Sequence, residues 1–179
     1  MCGCNKGRIQ PTVPETHSNS ILAHLRNRGL QHVAAPAPRY IHASGHAYIE
    51  TSKWGPPLWK MMHILSVAST ELDTTAWMSL FQALQDELPC PVCRSHAQEW
   101  LKQNPDFTTM GIQQYVLQFH NQVNARRNVP LWSIQQVQTT YSVGGKEQQL
   151  SLVTLLMSSV AMMPRVTVAL QSILASVSG

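Results

Sequence analysis

Two cysteines three positions apart, in Cys90-Pro91-Val92-Cys93, are the residues of this chain best placed to do chemistry. A thiol reacts as its thiolate, so a working pair needs something that lowers a pKa. Pro91 suits a first helical position, which puts Cys90 near the N-cap, where free N–H groups and the positive end of the helix dipole favour the anion. Cys93 then falls in the first turn with its sulfur near that of Cys90, and Arg94 and His96 add positive potential. Such a pair can open and close as a disulfide. Cys2-Gly3-Cys4 forms a second tight pair. Loops this short remove little entropy from an unfolded chain, so two such pairs point to redox or metal chemistry rather than to stapling. A structural zinc site joining Cys90 and Cys93 to Cys2 and Cys4, or to N-terminal histidines, is the competing reading. Lipidation is the alternative for Cys2 and Cys4. A thioredoxin-like setting is disfavoured because no strand leads into the motif.

A second set of residues suits a ring. His120 and Asn124 lie one turn apart on a helical face, flanked by Val123 and Arg127, with Asn121 adjacent and Arg126 close behind. Imidazole, amide and aliphatic groups together can stack on a heteroaromatic ring and hydrogen-bond its edge. Upstream, Trp54-Gly55-Pro56-Pro57-Leu58-Trp59-Lys60-Met61-Met62-His63 sets Trp59 and His63 four residues apart. Each of these motifs alone also fits an ordinary core or polar surface.

The elements that must position them read as helices. Pro56-Pro57 suits a first helical turn, followed by Leu58, Met62, Leu65 and Ser69 at helical spacing. Asp73 or Thr74 caps a second helix with the stripe Trp77, Leu80, Phe81, Leu84 and Leu88, which Pro89 ends. A third runs from Pro91 to about Gln103. A fourth, from about Gly111 to Asn128, carries Ile112, Tyr115, Val116, Phe119 and Val123 inward. Pro130 closes it, and a short fifth helix follows from Ser133. Strand signals are nearly absent, so the fold class is all-α, a bundle of four helices plus a short fifth over residues 51–140.

Residues 1–50 form a separate region broken by Pro11, Pro14, Pro36 and Pro38, and are expected to be a flexible arm with a short helix at Ile21 to Arg28. Its histidines, His17, His24, His32, His42 and His46, read as a solvated linker more readily than as a metal site, and no metal is expected. No apolar stretch follows a basic start at Met1 to Gln10, so no secretory signal is expected. Residues 141–179 form an apolar C-terminal segment. Leu150 to Met163 is too short to span a bilayer alone, and a span taken through Pro164 would carry Arg165 near its middle. An interfacial helix, a core helix and a kinked anchor all fit, and membrane association through 148–179 is kept as an expectation. The net charge of +4 is spread over scattered Lys and Arg with no aromatic-interleaved run, which argues against nucleic-acid binding.

Taken in order, Gly55, Trp59 and His63, then Cys90, Cys93 and His96, then His120, Asn121, Val123, Asn124 and Arg126, this chain resembles the Erv/ALR family of FAD-dependent sulfhydryl oxidases. The likeness covers about Trp54 to Trp132. It implies a helical bundle enclosing FAD, with Gly55, Trp59, His63, His96, His120, Asn121, Val123, Asn124, Arg126 and Arg127 around the cofactor. It also implies Cys90 and Cys93 as the catalytic pair, Cys2 and Cys4 as a shuttle, and a homodimer. Substrates would be protein dithiols or a thioredoxin-like carrier, with oxygen as acceptor and hydrogen peroxide as product. Leu88, Pro56 and Val129 depart from the family's usual aromatic and basic residues. With only four cysteines the extra structural disulfide of cellular members cannot form, so the chain looks most like the versions encoded by large DNA viruses. That would place it in the host cytoplasm or the virion. A zinc-stabilised helical binding module and a non-enzymatic membrane-associated helical protein are the alternatives.

Overall fold

Prolines and polar caps set most of the element boundaries. The computed structural model describes residues 50–69 and 73–179; the arm, with Cys2, Cys4, its five histidines and the helix expected at Ile21 to Arg28, lies outside the described residues. The helices are α1 Thr51–Ala68, α2 Thr74–Glu87, α3 Pro91–Gln103, α4 Ile112–Arg126, α5 Ile134–Tyr141, α6 Lys146–Leu156 and α7 Pro164–Ser178, with a 3-10 turn at Met157–Val160. Among the described residues there is no strand.

The Asp73 side chain accepts from the Ala76 N–H at 3.0 Å, a cap worth about 1 kcal/mol. Cys90 caps α3 with Pro91 behind it, as the sequence predicts. Helix α4 starts from Gly111 at φ 79° and stops where Asn128 takes φ 54°, a left-handed position that asparagine tolerates. The Ser133 hydroxyl accepts from the Gln136 N–H while the Gln136 side chain accepts from the Ser133 N–H, so α5 has a full capping box.

Helix α1 departs from expectation. It begins at Thr51, which leaves Pro56 and Pro57 inside it rather than in the first turn. Both rings hold φ at helical values, and the bonds they forgo are those to the carbonyls of Ser52 and Lys53, at the frayed end. Burial of Trp54 and Leu58 draws the preceding turn into the helix.

The C-terminal segment is the larger difference. Of its three readings, the core helix is the one found. Pro164 starts α7 instead of kinking a longer helix, and α7 buries Val166, Ala169, Leu170, Ile173 and Val177 at helical spacing. Removing each larger aliphatic from water contributes about 1.5–3 kcal/mol. Helix α7 packs chiefly on α2, while α6 and the 3-10 turn pack on α1. No helix among the described residues is long and apolar enough to cross a membrane. The bundle therefore has two helices more than the four-plus-one arrangement expected from sequence.

Inside, an aromatic cluster joins the helices. Phe81 of α2, Phe107 and Tyr115 lie within 4.9–5.6 Å of one another, centroid to centroid. Trp100 of α3 stacks on Phe119 of α4 at 5.7 Å, and Phe119 meets Trp59 of α1 edge-on at 5.1 Å. The Tyr115 hydroxyl donates to the Asn104 carbonyl at 2.7 Å, which ties α4 to the end of α3.

Candidate redox and ring-binding site

Cys90 and Cys93 are both thiols, half-buried at the head of α3. The Cys93 N–H donates to Cys90 Sγ at 3.3 Å, so the sulfur itself caps the helix. The Cys93 side chain hydrogen-bonds the same sulfur, and these bonds, with the nearby Arg94 charge, outweigh burial and lower the Cys90 pKa to about 6. Most Cys90 is then thiolate at neutral pH. Arg94 also donates from Nη1 to the Leu88 carbonyl, which pins the turn between α2 and α3.

The second cluster is built from three elements. Helix α1 places Trp59 and His63 one turn apart, and α4 brings His120 against both. Trp59 and His120 stack at 4.3 Å with planes 10° apart. His63 Nε2 lies 2.8 Å from His120 Nδ1. Burial, together with His120, pushes His63 down to about 3. Burial also pushes His120 down to about 4, with the Arg127 charge adding to it. Both rings are therefore neutral at pH 7, and one proton lies between them. His63 Nδ1 is buried with no partner. A buried lone pair is tolerated better than a buried orphan N–H, so we assign the shared proton to His63 Nε2, donating to His120 Nδ1.

Two residues that the sequence reasoning missed complete this cluster. Tyr141, at the end of α5, stacks on His63 at 5.1 Å and 13°. Trp132 lies parallel to His63 at 6.5 Å and to Tyr141 at 6.0 Å. Asn121 holds Trp132 in place: its Nδ2 donates to the Trp132 carbonyl at 2.8 Å, and its Oδ1 accepts the Trp132 N–H at 2.9 Å. Asn124, buried beside it, donates to the Pro130 carbonyl at 3.4 Å. The two asparagines of the HNxxN pattern thus fasten the loop that carries Trp132.

The remaining predicted residues divide. Val123 is half-buried against the core. Arg126 pairs with Glu99 of α3 at 2.6 Å and holds that carboxyl below its usual range. His96 lies near the same pair, and burial together with Arg126 lowers its pKa. Arg127 is exposed at the C-cap of α4. At Gly55 a Cβ would meet nothing within 4 Å, so no protein neighbour demands glycine there. The structure therefore brings Trp59, His63 and His120 together and sets His96, Arg126 and Glu99 in a separate polar group. A planar heteroaromatic group suits the first cluster and an anionic one suits the arginines. Among the described residues no three His, Cys, Asp or Glu side chains gather to hold a metal.

Comparison with known proteins bears on the family of the chain. The sequence model of the Erv1 / Alr family matches residues 56–142. A protein of African swine fever virus (isolate Tick/Malawi/Lil 20-1/1983) named "FAD-linked sulfhydryl oxidase" is 31% identical over 96 residues, spanning 49% of this chain and 79% of the relative. Its counterpart from isolate Pig/Kenya/KEN-50/1950 is 30% identical with the same coverage. The 347L protein of Invertebrate iridescent virus 6 is 29% identical over 96 residues, spanning 46% of this chain and 86% of its own. No solved structure matches.

Proposed function

The chain belongs to the Erv1 / Alr family, and from that premise we propose that it is a sulfhydryl oxidase that binds FAD and forms disulfides in protein substrates. The observation that carries this reading is Cys90 held as a thiolate at the N-cap of α3 by Cys93. Trp59 and His120 offer a stacking surface, Tyr141 and Trp132 close the far side of His63, and Arg126 and Arg127 supply positive charge for phosphates, with His96 an uncharged hydrogen-bonding ring near Arg126. The unfilled acceptor at His63 Nδ1 and two neutral imidazoles suit an uncharged heteroaromatic ring. These residues fit FAD. Bound there, FAD supplies a two-electron acceptor that is reoxidised by oxygen to give hydrogen peroxide.

The cysteines do the rest. In the disulfide form of the pair, a substrate thiolate attacks Cys90 Sγ, the Cys90–Cys93 bond breaks, and Cys93 leaves as a thiolate. The second substrate thiol then attacks the mixed disulfide at its own partner sulfur, so the substrate leaves oxidised and Cys90 leaves as a thiolate. Cys90, whose pKa is about 6 when the Cys93 thiol donates to it, is a good leaving group at that step once Cys93 has taken the proton of the second substrate thiol. Restoring the Cys90–Cys93 disulfide then gives up two electrons; the two protons of the overall oxidation are those that the substrate thiols shed. The second pair, Cys2 and Cys4, is suited to relay electrons from bulky substrates or a thioredoxin-like carrier to Cys90.

The visible absorbance of the purified protein tests this, read before and after a small dithiol is added in air. A flavin band that bleaches and returns as oxygen is consumed is the expected result, with turnover lost in Cys90→Ser. A colourless protein that takes up no added FAD refutes it. Unchanged turnover of a protein substrate in Cys2→Ser/Cys4→Ser refutes the relay.

A further inference from the structure

The end of α2 is tied down at consecutive residues, Gln85 to Leu88, just before Cys90. The Gln85 carbonyl accepts from Gln98 Nε2 of α3 at 3.2 Å. Asp86 pairs with the Arg165 guanidinium of α7 at 2.8 Å. One carboxylate oxygen of Glu87 accepts the N–H of Arg165 at 2.9 Å and of Val166 at 3.1 Å, both in the first turn of α7. The Leu88 carbonyl accepts from Arg94 Nη1 of α3. Pro89 and Cys90 follow directly, so whatever fixes this stretch fixes the approach to the cysteine pair.

Charge explains why part of the tie runs to α7. Asp86 and Glu87 end α2, where the helix dipole disfavours an anion. The same charge is favoured at a helix start, where the first N–H groups have no partners within the helix. Glu87 therefore finds at α7 the donors that its own helix cannot offer. This anchor lies beyond residue 142, where the region matched by the family ends.

Arg94 reaches back from α3 to the residue next to Glu87. Its charge is one of the causes that favour the Cys90 anion. A guanidinium has that effect only while it is held close, since in open solvent its charge is screened. We propose that Glu87 is a positioning residue for the redox pair: by binding the first turn of α7 it fixes the end of α2, and through the Leu88 carbonyl it keeps Arg94 beside Cys90. The inference rests on Cys90 and Cys93 being that pair, but its test needs no oxidase activity.

The ionisable groups that frame the turn are Cys93 and Arg94 on α3, Asp86 and Glu87 on α2, and Arg165 on α7. Losing a carboxylate near a thiolate lowers the thiol's pKa, whereas losing Arg94 raises it. A bare charge effect and a positioning effect of Glu87 thus have opposite signs. Alkylation of reduced Cys90 by iodoacetamide in the full chain, followed against pH by peptide mass spectrometry, reads the sign. In Glu87→Ala the midpoint is expected to rise by about 0.2–0.7 of a pH unit, the size of one partly exposed charge. Glu87→Gln keeps an oxygen that accepts both N–H groups and is expected not to raise it. Arg94→Met is expected to raise it as Glu87→Ala does, and the double variant no further than the larger of the two.

A midpoint that stays or falls in Glu87→Ala overturns the proposal, even if the variant is less stable in urea, because that is the behaviour of an ordinary helix cap. Shifts that add in the double variant overturn it as well. If Glu87→Ala does not fold, Glu87→Asp decides: it keeps the charge and shortens the reach, and an unmoved midpoint overturns the proposal. Turnover that survives Cys90→Ser instead refutes the oxidase reading, and the premise with it.

Discussion

Removing Cys93 tests the redox site at its most informative point. The first cause of the depressed Cys90 pKa is the hydrogen bond from the Cys93 side chain, followed among the lowering causes by backbone N–H groups and then Arg94, with burial opposing them. At pH 7 a thiol of pKa about 6 is roughly 90% thiolate, against about 1% for a pKa near 9, a gain of about 90-fold in the reactive form. Intrinsic nucleophilicity falls with basicity at about 0.4–0.5 log unit per pKa unit, which returns roughly 15- to 30-fold of that gain. The net advantage at pH 7 is therefore only about 3- to 6-fold, too small to be diagnostic by itself. The shape of the pH profile is diagnostic. Alkylation of reduced Cys90 by iodoacetamide, followed by peptide mass spectrometry so that Cys2 and Cys4 do not interfere, is expected to rise through a midpoint near 6 and level off above pH 7. In Cys93→Ala the midpoint moves up, and the plateau rate rises because the thiolate is more basic. A single midpoint above 8 in the unaltered protein refutes the argument. An unmoved midpoint in Cys93→Ala assigns the shift to the helix end rather than to Cys93.

Acid should destabilise the fold earlier than carboxylates alone would dictate. His63 and His120 are depressed to about 3 and about 4, so the unfolded chain binds their protons first. Their stabilising effect is whole above pH 6.5 and is lost as pH falls toward those values, at up to about 1.4 kcal/mol per pH unit for each ring. Urea midpoints measured between pH 7 and pH 4 should show that slope, reduced in His63→Phe; an equal slope in both proteins refutes it. Asn121→Ala removes both bonds to Trp132 and should cost about 1–3 kcal/mol in denaturant unfolding, with weaker FAD retention on a desalting column; unchanged retention means that Trp132 does not shape the site. Leu170→Ala under α7 should cost about 2–5 kcal/mol, and a loss below 1 kcal/mol would mean that α7 is not part of the core.

Helices α2 to α4 were legible because local chemistry and the global fold agree there. Asp73, Pro89 and Pro91 act within a few residues of the boundaries they set, and the stripe of Trp77, Leu80, Phe81 and Leu84 faces the core as its spacing predicts. The C-terminal segment was not legible, since a run that is apolar on every side hides its period. Leu155 and Val168 are exposed while Val153 and Val166 are buried, a distinction made only by the neighbouring α1 and α2. The candidate site was readable in part. Trp59, His63 and His120 stood out because two motifs had to meet. Trp132 and Tyr141 did not, because their place depends on Asn121 reaching eleven residues along the chain and on where α5 ends. The sequence alone points those asparagines at a ring; what the fold adds is that their amides fasten a loop.

The bond from Glu87 to Arg165 closes a gap of 78 residues, and that distance is also a time. At a synthesis rate of about 5–20 residues per second, the stripe on α2 waits roughly 4–16 s for α7 to be made. Helix formation takes microseconds, so α2 has formed long before its cover arrives. During that interval the nascent chain presents the same apolar surface that another nascent chain presents. Which α7 arrives first is then a matter of local concentration. A chain's own helix is tethered and holds the advantage, but crowded translation of one message narrows it. Exchange of α7 between neighbours is the misassembly this architecture invites, and a surplus of free chains late in expression is the condition that would reveal it.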